Sequence, residues 1–517
     1  MTASRRFSIP IHPFLFASFP ILTFLAENLG EVLPTASLRI WLASLILVIA
    51  YLFIFWLLLR RVQQSAVLAS VLALLSLSYG HLYATLDSLH LLGNGLGRHR
   101  FLLPLSSLLF VAVFFFVRHR DSVPLLTKYM NATAIIVVMF PMLQIIMFFI
   151  RIREIPLEYA SSPAIPVETT NASMRDIYYI ILDEYPRADV LADSYSYDNT
   201  PFLSDLEQVG FSIAKRSRSN YAQTELSLAS SLNYAYLDDL LPNLDPMSDD
   251  RSSLWRLIQE NAVMAFFGEL GYTTVAFETG YSWSQLEQAD VYLGPSQGVG
   301  NTSVWGLTDF EVLFLRKTAL LALYDARLAL PEYLTPELER PARRSYERTT
   351  LALEEMRRIQ DLDGPHFVFA HLLVPHPPYV YSEDGEYIGD QYGLDGTLGD
   401  EEALYSHNGA GHRRSIAYIN GEVLDLVSHL ISGSDEDPII ILQADHGVPF
   451  SLHPDRMAFF NAFYLPGGGA ELIYADITPV NTFRVILSHY YGANLPILED
   501  VSYFSSYDKP YDFEVVE

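Results

Sequence analysis

Asp176–Asp183 reads DIYYIILD, six apolar residues closed at each end by an acid. A short, unbroken apolar run of this kind is the pattern of a strand buried on both faces of a parallel sheet. Glu184 and Tyr185 follow it. Two further stretches repeat the arrangement. His366–Leu373 (HFVFAHLL) runs on through Pro375-His376-Pro377-Pro378-Tyr379, and Pro438–Gly447 reads PIIILQADHG. Thr273–Phe277 reads as another strand. Helical spacing lies between the strands. Thr200–Val209 is stopped by Gly210, and Ser252–Leu270 reads as one long amphipathic helix closed by Gly271. Leu307–Leu330, Thr335–Gln360 and Arg413–Ile431 are further helices. Alternation of this sort predicts an α/β domain, a mostly parallel sheet flanked by helices. Ligands of such sheets gather beyond the carboxyl ends of the strands.

The strand ends carry the chemistry. Asp183 or Glu184 closes the first, His371 and His376 the second, Asp445 and His446 the third. Oxygen and nitrogen donors without thiolates suit Mg, Mn or Zn. The chain has no cysteine, which removes disulfides, thiolate metal sites and cysteine nucleophiles. One Asp-His-Gly alone is more often a turn than a site, but three polar strand ends in one domain point to a shared crevice. A hydroxyl for ester chemistry lies in Ser219–Ser231 (SNYAQTELSLASS), a loop entering a helix. Thr224 would sit where backbone N–H groups and the helix dipole favour a bound phosphate or sulfate. The plain alternative makes Thr224 an N-cap and Ser227 and Ser230 polar helix residues.

Upstream, the first 155 residues differ in kind. Five apolar runs lie near Ile11–Ala26, Leu38–Leu59, Ala66–Leu86, Phe101–Val117 and Tyr129–Ile150. About 20 residues are needed to cross a bilayer, with about 17 as the lower limit. The first run is short and contains Pro13 and Pro20; acidic Glu27 and Glu31 follow it, which favours a retained span over a cleaved leader. About five spans with the N-terminus inside put Arg5, Arg6, Arg60, Arg61, Arg118, Arg120 and Lys128 on the inner side. Arg39, Arg98, Arg100, Arg151 and Arg153 are then outer. This modest positive-inside bias places the C-terminal domain outside the cytoplasm. The expected organisation is a multi-pass membrane domain at 1–155, a proline-bearing linker at 156–175 and an extracytoplasmic domain at 176–517.

Charge narrows the partners. Residues 1–155 carry 12 basic and 5 acidic side chains, leaving 21 basic against 55 acidic for the rest. A domain so acidic repels phosphate backbones, so no nucleic acid partner is expected. Aromatic residues make up 13% of the chain, enough to build a core and to exclude disorder over most of it.

The order of these features resembles the alkaline phosphatase/sulfatase superfamily: Asp at a strand end, Thr before a helix, a His-rich strand end, then Asp-His-Gly. The layout resembles its membrane-anchored branch, the lipoteichoic-acid-synthase-like and phosphoethanolamine-transferase-like proteins. The resemblance covers roughly Asp176 to Tyr491 and implies a sulfatase-like catalytic domain. It implies Asp183, Thr224, Asp445 and His446 as ligands of a divalent metal ion, Mn or Mg ahead of Zn, with Thr224 also the nucleophile. His376 and His453 match substrate-binding histidines, and His371 would serve a second metal or orient the first set. The sequence departs from the family in two ways. Asp183 and Glu184 are both available as the first ligand, and no arginine clearly matches the phosphate clamp.

A sulfatase of the usual type needs Cys or Ser converted to formylglycine, within a signature holding nearby Pro or Ala and Arg. Thr224 cannot become that aldehyde, so phosphoester chemistry is expected ahead of sulfate ester hydrolysis. The expected substrate is a lipid head group or an envelope polymer at the outer membrane face. The alternative is a non-catalytic sulfatase-fold sensor or scaffold for envelope assembly. A transporter is disfavoured, because apart from His81 and Asp87 the apolar runs are nearly uniform.

Overall fold

A computed structural model describes residues 9–29, 34–87, 90–91, 94–95, 98–120, 123–154, 174–242, 244–295, 308–325, 340–389, 409–448 and 455–516. The chain forms two compact units, Met1–Glu154 with Trp305–Arg340, and Ile155–Val304 with Pro341–Glu517. Most of the expected linker 156–175 lies outside the described residues.

The first unit is helical: α1 (His12–Glu27), α2 (Leu38–Leu59), α3 (Val62–Leu77), α4 (Tyr79–Asp87), α5 (His99–Arg118) and α6 (Pro124–Glu154). A two-residue hairpin, β1 (His90–Leu91) with β2 (Asn94–Gly95), precedes α5. Among the described residues, three segments are long and apolar enough to cross a membrane: Pro34–Leu59, His99–Arg118 and Pro124–Ile150. Little of each is buried, so apolar side chains such as Ile46, Phe53, Leu108 and Phe140 face outward. By contrast α1 and α3 have 16 residues each and supply the interior, through Ala17, Ile21, Ala69 and Ala73.

The third apolar run, expected to be one span from Ala66 to Leu86, is divided at Ser78. The cause lies in the hydrogen bonds. Gly80 N–H donates to Lys317 O (2.8 Å), and Ala319 N–H takes Ser76 O (2.7 Å) in its place. A Cβ on Gly80 would lie 2.6 Å from Lys317 Cα, so the approach requires glycine. Trp305–Arg340, expected within the second domain, therefore groups with the first unit. Its Phe310 and Phe314 pack on Phe24, and Glu311 pairs with Arg39.

The second unit is a seven-stranded sheet between helical layers. The order is β4 (Ser212–Ile213), β9 (Asn461–Tyr464), β8 (Ile439–Gln443), β3 (Ile177–Leu182), β7 (His366–Leu372), β5 (Thr273–Phe277), β6 (Val291–Leu293). The strands β8, β3, β7, β5 and β6 run parallel, and β9 is antiparallel to its neighbours. A hairpin of β10 (Ser502–Ser506) and β11 (Lys509–Val516) ends the chain described.

Both faces of the central strands are covered, as their unbroken apolar runs require. Tyr178, Ile180 and Leu182 pack with Leu353, Met356, Ile416 and Ile419. On the other face, Ile177, Tyr179 and Ile181 pack with Leu226, Leu228, Phe483 and Ile486. The expected single helix Ser252–Leu270 is two, Ser252–Gln259 and Ala262–Glu269. Asn261 starts the second by accepting Met264 N–H, and Asn233 Oδ1 takes Ala262 N–H, so the backbone leaves the helix between them.

Candidate active site

Strand register brings the acids together. Ile181 pairs with Gln443 across β3 and β8, so Asp183 and Asp445 emerge at the same level, two residues further on. Ile181 also pairs with His371 across β3 and β7. Asp183, Asp445 and His446 are buried, and each offers a ligand atom within 4.8 Å of the others. Glu184 turns the chain away from the strand with φ 61°, a region that side-chain-bearing residues rarely adopt. Its N–H donates to Asp445 Oδ1 (3.0 Å), which fixes that carboxylate.

The helix Thr224–Ser231 brings its first residue to this cluster. Thr224 Oγ1 lies 3.1 Å from His446 Nε2. Two features of the helix hold it there: Leu226 and Leu228 enter the core, and Ser227 Oγ donates to Asp445 O (2.7 Å). His446 Nδ1 faces Gly447 O at 3.0 Å, so Nδ1 carries the proton and the Nε2 lone pair points at the cluster. Burial, aided by the Arg456 cation, pushes the His446 pKa down to about 4, keeping the ring neutral.

Two oxygens decide whether these residues fit a metal ion. Among the described residues, Asp183 Oδ1 and Asp445 Oδ2 are buried with no hydrogen-bond partner. Asp445 Oδ2 lies 3.2 Å from His446 Nε2, which, with the proton on Nδ1, has none to donate to it. Buried carboxylates without partners are costly. Two such oxygens with one imidazole lone pair and one hydroxyl form a hard, four-donor set that suits a divalent cation.

The histidines surround Asp183. His371 Nε2 reaches Asp183 Oδ2 at 3.2 Å, and the indole of Trp283 lies 6.4 Å from its ring. His376 N–H donates to Asp183 O (3.2 Å), and its Nδ1 faces Pro377 O (2.6 Å). Burial favours neutral His376, but the Asp183 and Glu184 charges outweigh it and raise its pKa. Burial likewise opposes ionisation of Asp183, yet the facing histidines, His376 foremost, hold its carboxyl below the usual range. Glu184 is buried too; its carboxylate is turned toward Arg456 (3.9 Å). His453 lies outside the described residues.

Arg456, which the sequence analysis does not single out, also reaches the cluster. It is buried, its Nη2 lies 3.1 Å from His446 Nε2, and its guanidinium also donates to Ala222 O and Val448 O. Gly447 makes this possible. The turn Asp455–Met457 folds back so closely that a Cβ on Gly447 would stand 2.3 Å from Ala458 O. The glycine of Asp-His-Gly was the available signal, since it marks a close backbone approach.

A family model described as Sulfatase matches residues 175–482. Among solved structures, the C-terminal periplasmic domain of EptC from Escherichia coli in complex with Zn is similar. It has 12% identity and a TM-score of 0.43, with 68% of this chain and 95% of that one covered. Integral-membrane lipooligosaccharide phosphoethanolamine transferase A from Neisseria meningitidis gives 14%, 0.42, 93% and 95%. The lipoteichoic acid synthase LtaP from Listeria monocytogenes gives 11%, 0.35, 58% and 68%. A search of curated proteins finds no match.

Proposed function

Because the chain belongs to the sulfatase family, we propose that it is a membrane-anchored, metal-dependent enzyme acting on phosphoesters, with Thr224 as its nucleophile. The observation that supports this is the Thr224 hydroxyl 3.1 Å from His446 Nε2, beside the unpartnered oxygens of Asp183 and Asp445. Asp183, Asp445, His446 and Thr224 would hold a divalent ion, Mn or Mg ahead of Zn. When bound, that ion acidifies the hydroxyl and neutralises charge on the phosphoryl oxygens.

The chain's own residues do the rest. Thr224 gives up its hydroxyl proton to solvent as its Oγ attacks phosphorus and the bond to the leaving oxygen breaks, giving a phosphothreonine ester. His376, whose pKa the Asp183 and Glu184 charges raise, would give a proton to the leaving oxygen. Water or an acceptor hydroxyl then takes the phosphoryl group and restores Thr224. The substrate class is a lipid head group or an envelope polymer at the outer membrane face, reached by a domain outside the cytoplasm. A buried arginine beside the cluster, Arg456, speaks against the alternative of a non-catalytic sensor or scaffold.

Thr224→Ala is expected to lower turnover by about 10³-fold or more. The thermal melt should stay near that of the parent. Parental turnover in this variant would sink the mechanism.

A further inference from the structure

We propose that the C-terminal hairpin β10–β11 is a positioning element for the nucleophile, acting through Gln223 and Arg251; this rests on the reading of Thr224 as the attacking group. The hairpin lies beyond residue 482, where the family match ends. It grips both flanks of Thr224. Before it, Tyr503 N–H donates to Asn220 O (2.8 Å) and Ser502 Oγ to Ser219 O (2.8 Å). After it, buried Glu225 is held by Arg251 and by Trp255 Nε1 (2.8 Å).

Gln223 links the two sides. It occupies the N-cap position of the nucleophile helix, yet its side chain makes no capping bond. The amide Nε2 is instead within bonding distance of Ser505 O (3.2 Å), Ser505 Oγ (3.0 Å) and Ser506 O (3.1 Å). Its Oε1 accepts from Arg251 Nη2 (2.5 Å), which also donates to Tyr507 O (2.9 Å). The Arg251 guanidinium stacks on the Tyr507 ring at 4.4 Å. Gln223, Glu225, Arg251 and Ser505 are all buried. A buried, fully paired network of this kind fixes one geometry. Thr224, between two anchored neighbours, is thereby held facing His446. A displacement of about 1 Å at a reacting atom costs about 10²-fold in rate, so the network acts on the chemical step without touching substrate.

The test uses the full chain, Mn and bis(4-nitrophenyl) phosphate. Gln223→Glu keeps the volume and the Arg251 contact but replaces the amide donor with an acceptor facing two carbonyls. The expected result is kcat lowered about 10²-fold with KM within about twofold. Bound Mn should be unchanged, and amide exchange should be faster across residues 219–226. Arg251→Lys keeps charge opposite Glu225 but loses the fork that reaches Gln223 and Tyr507 together; it should shift kcat and exchange the same way, and carries the test if the first variant does not fold. Parental kcat in the folded variants, or unchanged exchange, overturns the proposal. If Thr224→Ala is inactive while these variants are fully active, only the hairpin's role falls. If Thr224→Ala is fully active, the nucleophile reading falls and this one with it.

Discussion

Buried polar atoms carry the functional case residue by residue. Asp183, Asp445 and His446 were legible because each closes an apolar strand, and the sequence alone ties a strand end to a crevice. Thr224 was legible as a hydroxyl at a helix start. Arg456 was not, because its place depends on a turn returning past Gly447, a tertiary event with no local period. Nor was His412, which lies in the helix Ala410–Gly433 and faces Glu184 O at 3.3 Å. Its other ring nitrogen is buried without a partner among the described residues, and burial lowers its pKa to about 4. The sign follows from linkage. The unfolded chain takes up this proton near pH 6.5 and the folded chain only near pH 4, so stability is intact above pH 6.5 and falls as pH drops toward 4. That interval corresponds to about 3 kcal/mol. His412→Phe should flatten the decline of the melting temperature between these pH values; an unchanged slope would show that the group does not contribute.

Single elements show where local pattern and tertiary contact disagree. The central strands matched their apolar runs nearly to the residue, because continuous burial leaves little choice of period. The helices diverged. Asn261 divides an amphipathic run that periodicity joins, since a cap competes with the helix wherever a neighbour supplies the other partner. The third apolar run diverges for a different reason, the exchange of hydrogen bonds with Lys317 and Ala319 at Ser76 and Gly80. Gly80→Val would drive a side chain into the Lys317 backbone. It should release the segment around residues 308–325, read as new protease cleavage there and a lowered melt. A parental cleavage pattern would mean that the exchange is dispensable.

For the whole molecule, the sequence separates an apolar N-terminal region from an acidic α/β domain. The structure adds that Trp305–Arg340 groups with the former. No hydropathy window could show that, because the segment's attachments (Phe310 and Phe314 on Phe24, Glu311 with Arg39) are remote in sequence. The proposed orientation puts the domain expected at 176–517 outside the cytoplasm. A C-terminal alkaline phosphatase fusion should therefore be active in whole cells, and protease should reach the domain in spheroplasts; activity only from a cytoplasmic reporter would overturn the topology and the substrate class together. The covalent step is the most direct point of attack. Full-length protein with Mn, mixed with bis(4-nitrophenyl) phosphate, quenched in acid and mapped by mass spectrometry, should carry a 4-nitrophenylphosphoryl group on Thr224. The adduct should be absent from Thr224→Ala and strongly reduced in Asp445→Asn. Steady turnover by the parent with Thr224 unmodified, or a phosphoryl adduct on another residue, would contradict the assignment.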